Sequence, residues 1–173
     1  WDKSAKILID SARMLEKAGV DFILICTNTM HKVYQQIQDE VAIPILHIAD
    51  ATIKVLKKNN IQSIGLLGTK YTMQQAFYKQ RIIDAGIDVL IPSEPDMAKV
   101  NDIIFKELVF GEMSASSKSE YLSIIDKLHD QGAQGVILGC TEIGLLIQQS
   151  DTQLPIFDTT LIHARVAVDE VLK

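Results

Sequence analysis

The sequence has few cysteines, no long apolar segment and no strong excess of charge. Its two cysteines, Cys26 and Cys140, are too few for a disulfide scaffold and lack the spacing of metal ligands, so each is predicted to be either buried filler or a reactive group. No apolar run reaches the roughly 18 residues of a membrane span, and the opening residues do not resemble a signal peptide. We therefore expect a cytoplasmic protein without a membrane partner.

The charge balance excludes further kinds of partner. The 173 residues include 17 basic and 22 acidic side chains, which gives a net charge of −5. With no stretch of five or more like charges, nothing favours nucleic acid or an anionic membrane surface as a partner. Because 47% of the residues are apolar, the chain can bury a sizeable core, which excludes a fibre or a disordered tail. We expect a globular protein that binds a small molecule.

Predicted strands and helices alternate along the chain. Short apolar runs predict strands at 22–25, 44–48, 61–67, 89–91, 136–138 and 155–157. Apolar residues at helical spacing, several of them followed by a glycine, predict helices that include 3–18, 50–58, 71–84 and 160–172. This alternation requires right-handed crossovers between parallel strands, so the predicted fold class is α/β.

Two segments, 19–29 and 132–142, resemble each other, since each has a glycine, an apolar strand and a small polar exit. Aligning them on the glycines without a gap pairs Thr27 with Cys140. Pairing Cys26 with Cys140 requires a slip of one residue, which turns a strand side chain to the opposite face. Thr27 is therefore the predicted counterpart of Cys140, and Cys26 is predicted to be a small buried hydrophobe. Buried parallel strands also resemble one another without duplication, so the pattern alone leaves both explanations open.

The two strand exits resemble motifs of a known enzyme family. Residues 27–31, Thr-Asn-Thr-Met-His, resemble the Cys-Asn-Thr-x-His exit of the aspartate/glutamate racemase family. Residues 138–143, Leu-Gly-Cys-Thr-Glu-Ile, resemble its Gly-Cys-Thr-Glu motif, and supporting segments follow in family order at 45–52, 66–69 with Thr72 and Phe77, and 155–158. Typical members have a cysteine where this chain has Thr27. A subgroup that acts on L-aspartate and L-glutamate is similar in having this Thr/Cys pair.

The resemblance implies two similar lobes, each a parallel sheet flanked by helices, with a cleft between them and a homodimer as the assembly. The first lobe is predicted at 1–50 plus 156–173, and the second at 51–155. Family members begin with a glycine-rich strand and loop that this chain lacks, so we expect that an N-terminal part of the first lobe is missing. The resemblance also implies a cleft that racemises an acidic amino acid with no cofactor and no metal.

Racemisation requires a base on one face of the α-carbon and an acid on the other. Cys140 is the predicted base, because a free thiol titrates near about 8.5 and the N-terminus of a helix can lower its pKa. Thr27 is the predicted partner, and its hydroxyl can hand over or relay a proton but is a poor base at neutral pH. The hypothesis is an enzyme that deprotonates the L form and is slow or inactive in the reverse direction.

Six further residues are predicted to bind the substrate: Asn28, Thr29, Thr69, Thr72, Thr141 and Glu142. Amide and hydroxyl donors, with the backbone N–H groups at helix starts, suit the carboxylates of an acidic amino acid. Helix capping is the alternative role for the asparagine and the threonines. Glu142 is predicted to orient the cysteine loop or the substrate ammonium, and the alternative is a solvated glutamate in the first turn of a helix.

Other functions stay open on the sequence alone. A lone cysteine also serves decarboxylases and isomerases of the same superfamily, and a module that had lost one catalytic group would bind an amino acid without reacting it. A dinucleotide-binding fold is disfavoured, because Gly65 and Gly68 are not followed by the glycine spacing that cradles a pyrophosphate. His31 and His47 lack metal-ligand spacing and are predicted to be structural. The sequence does not choose between aspartate and glutamate, which differ by one methylene.

Overall fold

The structure, a computed structural model that describes residues 1–172, contains two parallel sheets with helices packed against them. The elements are α1 (Asp2–Lys17), β1 (Ile23–Leu24), a 3-10 turn (Thr29–Val33), α2 (Tyr34–Gln38), β2 (Ile45–Leu46), α3 (Ile48–Lys58), β3 (Ser63–Gly68), α4 (Lys70–Gln74), α5 (Ala76–Asp84), β4 (Asp88–Leu90), α6 (Glu94–Lys106), a second 3-10 turn (Leu108–Phe110), α7 (Ala115–Asp130), β5 (Val136–Gly139), α8 (Ile143–Leu146), a third 3-10 turn (Gln149–Asp151), β6 (Ile156–Asp158) and α9 (Thr159–Val171). The predicted α/β alternation is confirmed.

The smaller sheet pairs β1 with β2 in parallel, with Ile23 opposite Ile45. Helix α1 covers it, and Ala5 and Ala12 on its apolar face are buried against the two strands. Strand β1 ends after two residues, so an irregular segment leads from it into the first 3-10 turn. The first of the two motifs, residues 27–31, begins in that segment and ends within the turn.

The larger sheet has the strand order β4-β3-β5-β6, and all of its pairings are parallel. Successive side chains of β5 point to opposite faces: Val136 and Leu138 join the core under α6 and α7, while Ile137 joins the core under α3 and α5. Both faces are covered, which is why the strand is apolar throughout. Helix α7 begins where Ser114 caps it, since the Ser114 hydroxyl accepts from the Ser117 N–H.

Two details differ from the sequence prediction. The helix predicted at 71–84 is interrupted at Gln75, whose backbone is extended with φ −84 and ψ 151, so α4 and α5 are separate. Strand β6 is hydrogen-bonded to β5, so it lies in the larger sheet and not with the strands of the first lobe, where the predicted boundary at residue 155 puts it. The rest of the predicted division into lobes stays a prediction.

Two glycines let the carboxyl ends of β3 and β5 approach closely. Gly68 and Gly139 are opposite each other in the sheet. A Cβ on Gly68 would lie 3.0 Å from the Gly139 carbonyl oxygen, and a Cβ on Gly139 would lie 2.8 Å from the Leu67 carbonyl oxygen. The close spacing of the two strands therefore favours glycine, which has no Cβ, at both positions. The residues that follow the glycines, Thr69 and Cys140, are thereby brought to one edge of the sheet.

Candidate active site

A cavity of about 390 Å³ lies where the exits of β1, β3 and β5 meet. Ligand sites of α/β proteins occur at this position, outside the carboxyl ends of parallel strands. The cavity is lined by Trp1, Thr27, Asn28, Thr29, Met30, Thr69, Tyr71, Ile104, Phe105, Val109, Gly139, Cys140, Thr141 and Glu142. All the predicted site residues except Thr72 are in this lining. Thr27 follows a strand of the smaller sheet and Cys140 a strand of the larger one.

Cys140 is partly buried at the end of β5, and its Sγ–H donates to Glu142 Oε2 at 2.9 Å. Burial, followed by this hydrogen bond and the negative charge of Glu142, raises the pKa of the Cys140 thiol to about 12. The backbone N–H groups of Thr141 and Glu142 at the helix start do lower this pKa, as expected, but burial and the Glu142 carboxylate outweigh them. Helix α8 has only four residues, so it offers little to offset a carboxylate in contact with the sulfur.

Glu142 is the acidic member of the cavity lining. Partial burial acts to raise the pKa of Glu142, but the hydrogen bonds from Cys140 and Thr141 outweigh it and hold that pKa below its ordinary value. The side chain is therefore a carboxylate at neutral pH. It is well placed to accept a hydrogen bond from a cationic group that enters the cavity.

Thr27 is held through its main chain by a histidine. The His31 Nδ1–H donates to the Thr27 carbonyl at 2.8 Å, and His31 Nε2 accepts from the Ile48 N–H at 3.2 Å. With both ring nitrogens engaged and the ring buried, desolvation lowers the pKa of His31 to about 4. The structural role predicted for His31 is confirmed. The Thr27 hydroxyl oxygen accepts only a long hydrogen bond, 3.4 Å, from the Met30 N–H.

Asn28 is buried, and its amide orientation is set by a chain of hydrogen bonds. The Thr159 hydroxyl donates to the Leu138 carbonyl at 2.8 Å, so its oxygen accepts from Asn28 Nδ2 at 3.0 Å. The Asn28 Oδ1 is left without a hydrogen-bond partner among the described residues. Asn28 was predicted as a donor to a carboxylate, but its unsatisfied atom is an acceptor, which suits an ammonium. Thr159 carries no motif of its own, so the sequence analysis missed it.

Three threonine hydroxyls link the exits of β1 and β3. Thr29 Oγ1 lies 3.4 Å from Thr69 Oγ1, which lies 3.2 Å from Thr72 Oγ1. Thr69 also caps α4, because its hydroxyl accepts from the Thr72 N–H, so the capping role weighed in the sequence analysis applies to it. Thr72 is fully buried behind Thr69 and does not line the cavity. The Thr72 side chain therefore has no exposed surface with which to make the predicted contact with the substrate.

Cys26 was predicted to be buried, and this is wrong: the side chain is exposed and does not line the cavity. Strand β1 ends at Leu24, so Cys26 stands in the irregular segment after the sheet, where the burial of a parallel strand no longer applies. Its neighbour Thr27 does line the cavity. This arrangement agrees with the gap-free alignment that pairs Thr27 with Cys140.

The sequence analysis also missed the apolar part of the lining. It consists of Trp1, Met30, Tyr71, Ile104, Phe105 and Val109. Side chains of this kind occur throughout any core and carry no chemical signature, so only the folded chain distinguishes them. Within residues 1–172, no cluster of three histidine, cysteine or acidic side chains is arranged to hold a metal ion. Over the same residues, no helix combines the length and apolarity needed to cross a membrane.

The fold and the cavity define a class of protein: an α/β enzyme in which a thiol and a hydroxyl from two sheets face one cavity. The chain belongs to the Asp/Glu/hydantoin racemase family, whose sequence profile matches residues 1–167. The aspartate/glutamate racemase resemblance is thereby confirmed, and with it the class of enzyme.

Individual relatives agree with this assignment. The chain is 30% identical over 171 residues to the broad specificity amino-acid racemase RacX of Bacillus subtilis, covering 99% of this chain and 74% of that protein. It is similar to the structure of a Yersinia pestis protein classed as an Asp/Glu racemase, with 47% identity, a TM-score of 0.95 and coverage of 100% of this chain and 76% of the other. An aspartate racemase homologue from Pyrococcus horikoshii has 36% identity and a TM-score of 0.89, covering 98% of this chain and 74% of the other.

Proposed function

We propose that the chain racemises an amino acid without a cofactor, with Cys140 and Thr27 acting on opposite faces of the α-carbon. The observation that carries this proposal is that the two side chains line one cavity, each at the exit of a strand from a different sheet. Two groups that approach from two sheets can reach both faces of one carbon, which racemisation requires. Membership of the racemase family supports the same chemistry.

Substrate binding activates the cysteine. The charge of Glu142 and its hydrogen bond contribute to the raised pKa of Cys140. When the α-ammonium of the substrate pairs with Glu142, the carboxylate is neutralised and the thiolate becomes easier to form.

The proton transfers then balance around the α-carbon. The Cys140 thiolate takes the α-proton of the L enantiomer and becomes a thiol. The carbanion takes a proton from the Thr27 hydroxyl on the other face, and Thr27 recovers its proton from solvent. Because a hydroxyl is a far weaker acid than a thiol, Thr27 relays protons to the carbanion but seldom abstracts one. The enzyme therefore exchanges the L form faster than the D form.

Two alternative functions require fewer catalytic groups than racemisation does. A lone-cysteine decarboxylase or isomerase needs only Cys140, and a binding module needs no acid or base. The presence of Thr27 in the same cavity favours the two-group mechanism. Aspartate and glutamate are the substrates that the sequence resemblance predicts, and they share their α-carbon chemistry with other chiral amino acids. The homodimer stays a prediction of the resemblance, and analytical ultracentrifugation tests it.

The test is α-proton exchange in D₂O, followed by proton NMR for separate L and D enantiomers of aspartate, glutamate, glutamine and methionine. Cys140→Ala is expected to abolish exchange, because it removes the base. Cys26→Ala is the matched control, since Cys26 is exposed and outside the cavity. Thr27→Cys is expected to raise exchange from the D form by about tenfold or more, because a thiol replaces the hydroxyl.

Three outcomes would contradict the proposal. Exchange retained in Cys140→Ala removes the cysteine from the mechanism. Equal exchange from both enantiomers in the unmodified protein rejects the asymmetric pair. Release of CO₂ from a malonate derivative, or binding without any exchange, identifies one of the two rival functions instead.

A further inference from the structure

The part of the cavity that faces away from the reacting groups is apolar. Helix α6 contributes Ile104 and Phe105, the 3-10 turn after it contributes Val109, and Tyr71 adds an aromatic ring from α4. Phe105 and Val109 are 50% and 45% exposed, so their surfaces are open to a ligand and not already buried in a core. No lysine, arginine or histidine of residues 1–172 lines this cavity, and Glu142 is its charged side chain.

The lysines closest in sequence to this wall are engaged elsewhere. Lys106 pairs with Asp102 one turn back on α6 at 2.7 Å, and neither of them lines the cavity. Lys70 pairs with Glu94 at 2.9 Å. Each of these two lysines is therefore paired with a carboxylate on the surface.

A third lysine, Lys32, lies beside Trp1 and is hydrogen-bonded as well. Lys32 Nζ donates to Gln75 Oε1 at 2.7 Å and lies 4.4 Å from the centre of the Trp1 ring. Trp1 lines the cavity and Lys32 does not. Among the described residues, the lining therefore presents one charged side chain to a ligand, the carboxylate of Glu142.

We propose that the substrate of this site is an amino acid with an uncharged, apolar side chain such as methionine or leucine, in preference to aspartate or glutamate. This inference rests on the proposed racemase function and names its substrate class. A side-chain carboxylate placed against the exposed surfaces of Phe105 and Val109 would lose its hydration without gaining a cation from the described lining, and it would be repelled by Glu142. An apolar side chain gains from covering the same exposed surfaces. The α-carboxylate and α-ammonium bind at the polar strand exits in either case.

The test compares three L-amino acids of similar length that differ in the end of the side chain: methionine, glutamine and glutamate. The full-length protein is assayed for α-deuterium exchange, and kcat/KM is determined for each. We expect kcat/KM for L-methionine to exceed that for L-glutamate by about tenfold or more, because an unpaired carboxylate is excluded from an apolar pocket. L-glutamine, which has the shape of glutamate without its charge, is expected to lie between them.

A substitution that adds the missing cation tests the cause. Val109→Lys is expected to raise kcat/KM for L-glutamate and lower it for L-methionine. Val168→Lys on α9 is the matched control, because it adds the same charge at a position that is 55% exposed and outside the cavity. It is expected to leave both values unchanged.

The outcomes separate this inference from the function on which it rests. Faster exchange from L-glutamate than from L-methionine overturns the substrate class and leaves the racemase function intact. An unchanged preference in a folded Val109→Lys variant also overturns it, because the wall then does not contact the side chain. Exchange from none of these amino acids overturns the proposed function and the inference together.

Discussion

The contact between Cys140 and Glu142 determines the resting state of the site. In the unliganded chain the sulfur is a thiol that donates to a carboxylate, and its pKa is raised to about 12. A protonated resting cysteine resists oxidation and alkylation, because the thiolate is the reactive form. In the proposed mechanism, activation then depends on the substrate, whose ammonium neutralises the charge of Glu142 beside the sulfur.

Glu142→Gln is expected to lower the pKa of Cys140, because an amide lacks the negative charge that opposes thiolate formation. Burial remains as the first cause of the raised pKa, so the shift is partial. The measurement is the rate of iodoacetamide alkylation as a function of pH in a Cys26→Ser background, which removes the exposed second thiol. We expect alkylation of the variant near pH 8 to be about tenfold faster than that of the parent.

The same variant distinguishes two roles of Glu142. If the carboxylate only orients the loop, alkylation at pH 8 is unchanged and the idea of charge control is rejected. If it also binds the substrate ammonium, KM rises even though the thiolate is easier to form. A Thr141→Val variant is the matched comparison, since it removes a hydrogen-bond donor to Glu142 and leaves its charge in place.

At the residue scale, the motifs identified the polar half of the cavity lining but not its electrostatics. Thr27 and Cys140 were found because a repeat and a family resemblance mark them. The pKa of Cys140 could not be predicted, because it depends on burial and on a carboxylate two residues away that could equally have faced solvent. The exposure of Cys26 was missed because β1 is shorter than its apolar run.

At the scale of elements, the position of Cys140 depends on how closely β5 approaches β3. A Cβ on Gly139 would lie 2.8 Å from the Leu67 carbonyl oxygen, which is backbone and cannot turn aside. A Cβ on Gly65, at the other end of the same strand pair, would meet the Leu128 Cδ1 at 3.0 Å, and that side chain can shift. A methyl group is therefore expected to disturb the structure more at Gly139 than at Gly65.

Gly139→Ala is expected to separate the ends of β3 and β5 and to displace Cys140. We expect a loss of about 1–3 kcal/mol in the free energy of unfolding from overpacking. If Cys140 is the base as proposed, a displacement of its sulfur by a fraction of an ångström should also lower kcat by about tenfold or more in the fraction that remains folded. Urea unfolding and exchange kinetics measure the two effects.

Gly65→Ala is the matched control for that change. It is expected to cost about 1 kcal/mol or less and to leave kcat unchanged, because it lies at the end of β3 remote from the exit. Equal losses of kcat in the two alanine variants would contradict the role given to Gly139. So would a Gly139→Ala variant with full activity.

Elements were predicted well where apolar periodicity is strong. Each of the six predicted strands is present, with ends that differ by at most two residues from the apolar runs. The break at Gln75 was missed because the apolar spacing continues across it. The pairing of β6 with β5 was missed because a strand's partner depends on long-range contacts that local patterns do not contain.

At the scale of the whole molecule, a cluster of three buried histidines joins the smaller sheet to the helices of the larger one. The ring centres of His31 and His47 are 4.4 Å apart, and those of His31 and His163 are 6.0 Å apart. His163 Nε2–H donates to the Leu46 carbonyl at 2.7 Å, which ties α9 to β2. Tyr34 and Arg81, the latter paired with Asp50, complete the surroundings of the cluster.

This cluster makes the folded chain sensitive to acid. Burial lowers the pKa of His31 to about 4 and that of His47 to about 2, and it lowers the pKa of His163 as well. In the unfolded chain these groups titrate near 6.5. Below that pH the unfolded chain binds protons that the folded chain does not, so the free energy of unfolding falls as the pH falls.

The substitution His47→Asn removes one of these three histidines and so measures its share of the pH dependence of the free energy of unfolding. Between pH 6 and 4 a histidine that stays neutral in the fold, as His47 does, contributes a slope of up to about 1.4 kcal/mol per pH unit, and the variant is expected to lose that slope. His47 also caps α3 by accepting from the Ala49 N–H, a role that asparagine can fill. His47→Ala removes the same titration and the cap, so it should show the reduced slope and, at pH 8, about 1 kcal/mol less stability than His47→Asn. Urea unfolding at pH 8, 6, 5 and 4.5 measures both quantities, and a His47→Asn slope equal to that of the parent chain would mean that His47 is protonated in the fold.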